Sequence, residues 1–543
     1  MSNAYFKVPT PINEPVLSYA PNSPEKAELK KKLKELQSKK IEIPLIIGGK
    51  EIKTGRTEEI RVPHNHKKVL GKYHKAGAIE IKMAIEAALE ARKKWADMPW
   101  EHRAAIFLKA ADLLAGPWRS TINAATMLGQ SKTAYQSEID AACELIDFWR
   151  FNVYYMTQLM TEQPYSPAGM WNRSEYRPLE GFVFAVSPFN FTSIGGNLPT
   201  APAMVGNVAL WKPASTAVYS AYFLKKLLIE AGVPAGVINF IPGSGREVGD
   251  PVMDSPDLAG IHFTGSTSVF QGMWKKVGDN LSKMKYYPRI VGETGGKDFI
   301  FAHNQADVDS LVVATIRGAF EYQGQKCSAA SRMYIPKSIW PEFKKKYVTE
   351  VKKVKMGNPE DFTNFMSAVI DKAAFKSITE YIDYAKKAKD AEIITGGKYN
   401  DSVGYFIEPT TIVTTNPKFK TMQEEIFGPV MTIYVYDDNK FDETLELCDT
   451  TSPYALTGCI WSQDREVLVK MSNKLRNAAG NFYLNDKPTA AVVGQQPFGG
   501  GRASGTNDKA GSAMNILRWM TARSLKETFD PPKDWRYPFM GAK

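Results

Sequence analysis

A cysteine thiolate is a potent nucleophile, and the chain has four cysteines: Cys143, Cys327, Cys448 and Cys459. Three of them sit among apolar neighbours in element-like runs and read as packing residues. Cys327 differs. It lies in QGQKCSAAS (residues 323–331), where small neighbours leave the sulfur approachable and Lys326 places a cation beside it. A nearby cation favours the thiolate, although an inert, buried cysteine could carry the same neighbours. Glu293, in IVGETGGK, ends a strand-like run and precedes two glycines. A carboxylate there can face a cleft and activate water, or be an ordinary turn residue. Asn190, in SPFNFTS, also follows a strand-like run. Its amide suits an oxyanion, and asparagine equally suits a plain turn.

These residues need elements to hold them. Short apolar runs at residues 181–187, 208–212, 237–242 and 258–264 alternate with helical segments at 217–231 and 266–277. Such alternation predicts a parallel sheet with helices on its faces. Gly265 opens GSTSVF at a strand-to-helix junction, where a helix N-terminus can take a pyrophosphate. The match is loose, because the full GxGxxG fingerprint is missing. A second alternating region runs from about 297 to 484, with strands expected near 329–335 and 431–436. The first 150 residues read as helical over 79–95, 102–115 and 133–155.

Composition narrows the function classes. With 543 residues the chain is long for a single core, and 43% hydrophobic with 23% charged residues is ordinary for a globular protein. No apolar run is long enough to span a membrane, and no secretory or transit segment is evident at the start. Four scattered cysteines without a CxxC pair argue against zinc and disulfide frameworks and suit a cytoplasmic, reducing compartment. The six histidines do not cluster, so no metal is expected. A net charge of +11 raises nucleic acid as a partner. The excess is diffuse, however, and no basic-aromatic motif accompanies it. The one basic run, residues 26–40, places Leu29, Leu33 and Leu36 at helical spacing and reads as a solvated helix resting on the body.

Taken in order, PFNF, WKPA, FTGS, ETGGK, GQKCSA, EEIFGPV and PFGG resemble the aldehyde dehydrogenase superfamily, from about residue 45 to the last helices. The resemblance implies an α/β aldehyde dehydrogenase fold: a Rossmann-like NAD domain at 45–296 with oligomerisation strands near 160–180, and an α/β catalytic domain at 297–485. Residues 486–543 would supply a substrate-anchor loop, a return to the cofactor domain and an oligomerisation tail, and residues 1–44 a helical N-terminal extension. It makes Cys327 the nucleophile, Glu293 the general base and Asn190 the oxyanion donor. Ser187, Lys212, Gly265, Ser266, Thr267, Ser268, Val269, Glu425 and Phe427 match contacts to the cofactor, NAD. The tail, WRYPFMGAK, would pack on another subunit, giving a homodimer or larger homo-oligomer.

Longer matches, including FEYQGQKCSAASRMY and LRNAAGNFYLNDKPTAAVVGQQPFGGGRASGTNDKAG, are similar to the branch that oxidises glutamate γ-semialdehyde to glutamate in proline breakdown. The expected partner is therefore a small aldehyde bearing a carboxylate. Phe191, Lys326, Ser328 and Phe498 match its pocket, and the loop at 489–494, with Ala490 and Ala491, matches the segment whose N–H groups bind the carboxylate. Two departures stand out. Ser215 replaces the glutamate of many NAD-preferring members, and Ala490 and Ala491 stand where relatives often have Gly, sometimes followed by Ser. Another semialdehyde, such as succinate semialdehyde, and a catalytically silent protein of the same shape are the competing readings.

Overall fold

Residues 4–541 are described here from a computed structural model. The strand Phe182–Val186 (FVFAV) is buried along its whole length, as an apolar run covered on both faces must be. It is an inner strand, third from one edge, of a seven-stranded sheet. The chain next lays down Ala209–Lys212 and Ile238–Phe240 on one side of it, all parallel. It then crosses to the other side for Leu258–Thr264 and Arg289–Glu293, also parallel. Leu45–Ile47 and Lys50–Ile52 add an antiparallel edge. The order therefore reverses between Phe182–Val186 and Leu258–Thr264. In open α/β sheets a crevice forms at the carboxyl ends of the strands at such a reversal.

A second seven-stranded sheet takes Ala391–Thr395, Thr410–Thr414, Val430–Tyr436, Ala330–Pro336, Asp298–Ala302, Thr457–Trp461 and Asn481–Leu484, in that order. Only Ala391–Thr395 runs antiparallel to its neighbour. Two apolar clusters pack its faces, one around Phe299, Phe301 and Ile460, the other around Ile300, Met333 and Ile433. The alternation of side chains along Asp298–Ala302 puts successive residues on opposite faces. A long antiparallel ribbon, Met170–Pro178 against Met520–Thr528, stands apart from both sheets.

Helices Ala78–Trp95 and Trp100–Ala115 lie where the hydrophobic period placed them. The helical reading of the first 150 residues passed over a three-stranded sheet formed by Ile41–Ile43, Asn65–His74 and Thr57–Val62. The helix expected at 133–155 is interrupted by a π-helical turn, Glu138–Cys143, before Glu144–Thr161 continues it. The N-terminal extension is helical only over Pro24–Ser38, which buries Leu29 and Leu33 as the spacing required. Residues 4–22 contain no helix or strand and cross the body as an extended strap. Among the described residues no helix is long and apolar enough to cross a membrane.

The strap is held by buried charge. Arg119 donates from Nη1 to Glu14 at 2.5 Å, from Nη2 to the Pro15 carbonyl at 2.8 Å and from Nε to Glu138 at 3.1 Å. Glu138 also accepts from the Leu17 N–H at 2.9 Å and the Tyr19 hydroxyl at 2.7 Å. Removing one member of such a set leaves an uncompensated buried charge, a loss of about 3–5 kcal/mol. Arg119→Met is therefore expected to lower the thermal unfolding midpoint markedly. Arg119→Lys, which keeps the charge without the fork, should fall between it and the native chain. A native midpoint in Arg119→Met would refute the assignment.

Candidate functional site

The crevice at the strand-order reversal opens into a cavity of about 920 Å³, bordered by Ser187, Asn190, Lys212, Gly265, Glu425 and Phe427. A second cavity, of about 650 Å³, is bordered by Phe191, Lys326, Ser328, Ala491, Val493 and Phe498. Cys327 borders both. The nucleophile is thus placed where a reagent in one chamber can meet a reagent in the other.

The backbone before Cys327 is under strain. Tyr322, Gln323 and Gly324 take left-handed conformations in succession, with φ of 50°, 55° and 65°. For Tyr and Gln this region is costly, and such strain gathers at functional sites. Gly324 is required for a second reason: a Cβ there would lie 2.2 Å from the Gly428 carbonyl oxygen. The turn delivers the Gln325 carbonyl to Asn190, whose Nδ2 donates to it at 3.0 Å. The amide that would take up oxyanion charge is thereby oriented by the nucleophile's own loop, and its other N–H is left to donate elsewhere.

Electrostatics at the thiol run opposite to the expectation from Lys326. Burial, followed by the charges of Asp298, Glu293 and Glu425, pushes the Cys327 thiol well above its ordinary value. Lys326 does not activate it, because its ammonium is committed to Asp140 at 3.3 Å and Glu321 at 3.8 Å. Burial opposes the Lys326 charge, yet these two carboxylates outweigh burial and hold it above the usual lysine range. Glu293 is also shifted: burial drives its carboxyl well above 4.5, toward values useful to a base near neutrality. Its Oε2 accepts a long bond from the Gly500 N–H at 3.3 Å. Glu293 thus rests on the glycine turn and borders neither cavity in this conformation.

The larger cavity suits a dinucleotide. Burial pushes the Lys212 ammonium down to about 8, and it donates to the Pro213 carbonyl at 3.3 Å. Helix Thr267–Asn280 starts at Gly265–Ser266 without a side-chain cap, so its first N–H groups are open to an anion. Glu425 accepts from the Gly296 N–H at 2.9 Å. Ser187 is buried and accepts from the Trp211 indole at 2.9 Å. Val269 borders the cavity, but two expected contacts do not: Thr267 accepts weakly from the Gly295 N–H at 3.4 Å, and Ser268 is exposed. Helical geometry turns these two away while their backbone remains at the helix start.

The smaller cavity carries charge that the sequence did not reveal. Lys132, ion-paired to Asp140, lies 4.4 Å from the centre of the Phe191 ring and 4.2 Å from that of Tyr322. Burial, then the Asp140 charge, pushes Glu144 up to about 8, and Ser193 donates to it at 2.6 Å. Lys487 pairs with Glu321 at 3.6 Å. Three lysines, Lys132, Lys326 and Lys487, are thus interleaved with Asp140, Glu321 and Glu144. In the loop, Ala491 borders the cavity, whereas Ala490 is turned into the catalytic core. Among the described residues, the N–H groups of Thr489, Ala490, Ala491, Val493 and Gly494 donate to no protein acceptor, and three of these residues, Thr489, Ala491 and Val493, border the cavity, while the Val492 N–H is taken by Gln496 at 3.0 Å. Nothing in the spacing of Lys132, Asp140 and Glu144 marked them, since Lys132 lies in the loop before the helix while Asp140, in its π-turn, and Glu144, just after it, are re-aimed by that turn.

Among the described residues no group of three His, Cys, Asp or Glu could hold a metal. All four cysteines are free. Cys143, Cys448 and Cys459 are buried as expected, and burial raises each thiol, Cys448 to about 12.

A two-chambered α/β site with cysteine at the junction defines an aldehyde-oxidising architecture, and the model of the aldehyde dehydrogenase family matches residues 52–524. The chain belongs to the aldehyde dehydrogenase family. Its similar relatives carry one particular name within it. The mitochondrial delta-1-pyrroline-5-carboxylate dehydrogenase of Dictyostelium discoideum is 56% identical over 540 residues, covering 99% of this chain and 97% of that one. The Mus musculus enzyme of the same name is 50% identical, covering 97% and 94%. Among solved structures, the Mycobacterium tuberculosis delta-pyrroline-5-carboxylate dehydrogenase bound with NAD superposes with a TM-score of 0.97 at 50% identity, covering both chains fully.

The raised thiol makes a measurable difference. Alkylation of Cys327 by iodoacetamide should keep accelerating as pH climbs through 9.0, the ordinary cysteine value, because only the thiolate reacts. A plateau in rate below that pH, read by mass spectrometry of the labelled peptide, would contradict the burial argument.

Proposed function

We propose that this chain oxidises glutamate γ-semialdehyde, the open form of 1-pyrroline-5-carboxylate, to glutamate with NAD. The observation that carries the reading is the placement of Cys327 between a dinucleotide-sized crevice and a pocket holding three unpaired backbone N–H groups. Relatives of this name at 50–56% identity, one solved with NAD, support it. The unpaired N–H groups of Thr489, Ala491 and Val493, which border the pocket, suit the substrate carboxylate. The aromatic walls, Phe191 and Phe498, hold the aliphatic stem and exclude water.

The chemistry follows from the residue types. The Cys327 thiol gives up its proton to solvent before the sulfur adds to the aldehyde carbon. Asn190 Nδ2 and the Cys327 backbone N–H take up the developing oxyanion charge. When bound, NAD supplies the hydride acceptor that turns the thiohemiacetal into a thioester. Lys212, Glu425 and the open helix start at Gly265–Ser266 hold the cofactor in place. Glu293 then swings from Gly500, takes a proton from water, and that water attacks the thioester carbon. Cys327 leaves as the thiolate, and the acid departs.

Two further readings accompany this one. The ribbon Met170–Pro178/Met520–Thr528 and the aromatic tail, with Trp535 79% and Phe539 84% exposed, are covered by a second copy of the chain. The free thiols suit a reducing compartment, whether a cytoplasm or a mitochondrial matrix.

NADH absorbance with 1-pyrroline-5-carboxylate tests the function. Turnover should be present in the native chain and vanish in Cys327→Ala. Glu293→Gln should release about one NADH per site and then stall, with deacylation slowed roughly 100- to 10,000-fold. Steady-state turnover of the native enzyme should fall as pH drops through the raised Glu293 value, because the base is lost on protonation. Absence of turnover in the native chain would return the substrate to the other semialdehydes.

A further inference from the structure

The strap of residues 4–22 reaches the substrate loop. Asn13 Nδ2 donates to the Val493 carbonyl at 2.7 Å and to Asp147 Oδ2 at 2.8 Å. Its Oδ1 accepts from Gln495 Nε2 at 2.9 Å. One side chain thus spends its donors and its acceptor tying the loop to the body. Asp147, on helix Glu144–Thr161, is its fixed point and also accepts from the Glu14 N–H at 2.7 Å. Glu14 in turn is held by Arg119 at 2.5 Å and Arg150 at 2.8 Å. The Arg119–Glu138 set anchors the next turn of strap at Leu17 and Tyr19.

The consequence lies in the peptide plane. No cis peptide occurs among the described residues, so the Val493 carbonyl and the Gly494 N–H point in opposite directions from one rigid unit. A bond that fixes the Val493 carbonyl therefore fixes the direction of the Gly494 N–H. That N–H has no protein acceptor, and the residues on either side of it, Val493 and Gln495, both border the substrate cavity, so the tie sets the path of the loop along the pocket. Gly494 takes φ 82°, and a Cβ there would lie 2.2 Å from the Phe151 ring, so the position is occupied by the most flexible residue type.

We propose that Asn13 is a positioning residue for substrate recognition: from outside the catalytic sequence blocks, the N-terminal strap aims the N–H groups that bind the substrate carboxylate. It touches no reacting atom. Its contribution is confined to aldehydes that carry a carboxylate, since a plain aldehyde makes no use of the loop. The inference rests on the substrate reading above and predicts a selectivity effect that a general weakening of the fold would not give.

The test compares Asn13→Ala with the native enzyme on 1-pyrroline-5-carboxylate and on propanal, with thermal midpoints recorded for both. Loss of the ties to Val493 and Gln495 should raise KM for 1-pyrroline-5-carboxylate roughly 5- to 20-fold, with kcat nearly retained. The ratio of kcat/KM for the two aldehydes should fall by the same factor. Gln495→Leu, which removes one tie and leaves the strap seated, should lower the ratio in the same direction by less, and serves if Asn13→Ala folds poorly. An unchanged ratio in either variant, or an equal loss on both aldehydes, overturns the proposal while leaving the enzyme's function standing. Native enzyme that ignores 1-pyrroline-5-carboxylate but oxidises propanal would overturn the substrate reading and this inference with it.

Discussion

The hydrogen bond from Asn190 to the Gln325 carbonyl, 3.0 Å long, joins the loop that follows Phe182–Val186 in the first sheet to the loop that presents the nucleophile. Each side alone is half a site. The first sheet contributes the crevice and the oxyanion amide; the second contributes the strained turn at Tyr322–Gly324 and the sulfur. Glu425, reaching across to the Gly296 N–H at 2.9 Å, makes the same connection from the other direction. Because both links end on backbone atoms, their geometry is set by chain path, and substitutions at neighbouring side chains leave it in place.

Burial is the second theme. Around Cys327 it raises the thiol, Glu293 and Glu425 together, so burial disfavours negative charge on all three. A dry site of this kind favours transition-state charge that is met by fixed donors over charge already present in the ground state. The cations nearby do not relieve it. Lys326 and Lys132 are absorbed by Asp140 and by aromatic rings, and they shape the substrate chamber instead of the nucleophile.

Much of this was legible in the sequence. Leu258–Thr264 appears with the bounds its apolar run suggested, and Phe182–Val186 and Ala209–Lys212 differ by a residue or so at each end, because fully buried parallel strands leave an uninterrupted apolar signal. Lys326 was misread as an activator because adjacency in sequence says nothing about side-chain direction: on the loop, the lysine and the cysteine face different partners. Thr267 and Ser268 were assigned by motif, whereas a helix turns successive side chains about its axis. The strap was missed altogether. Its residues form no periodic pattern, and Asn13 gains meaning only from Asp147 and Val493, which are 134 and 480 positions away. The π-turn at Glu138–Cys143 was equally silent, since one extra residue in a helical run leaves the hydrophobic period nearly intact.

The ribbon between Met170–Pro178 and Met520–Thr528 has a consequence in time. Its two strands are separated by more than half the chain, and synthesis of the intervening stretch takes on the order of tens of seconds at ribosomal rates. Throughout that interval, in which most of the first sheet and all of the second are translated, the earlier strand is an unpaired edge. Its sequence, MWNRSEYRP, answers the hazard with arginines, a glutamate and a terminal proline, the residue types that keep an open edge from recruiting neighbours. Closure of the ribbon is then among the last events of folding, after both sheets have been made.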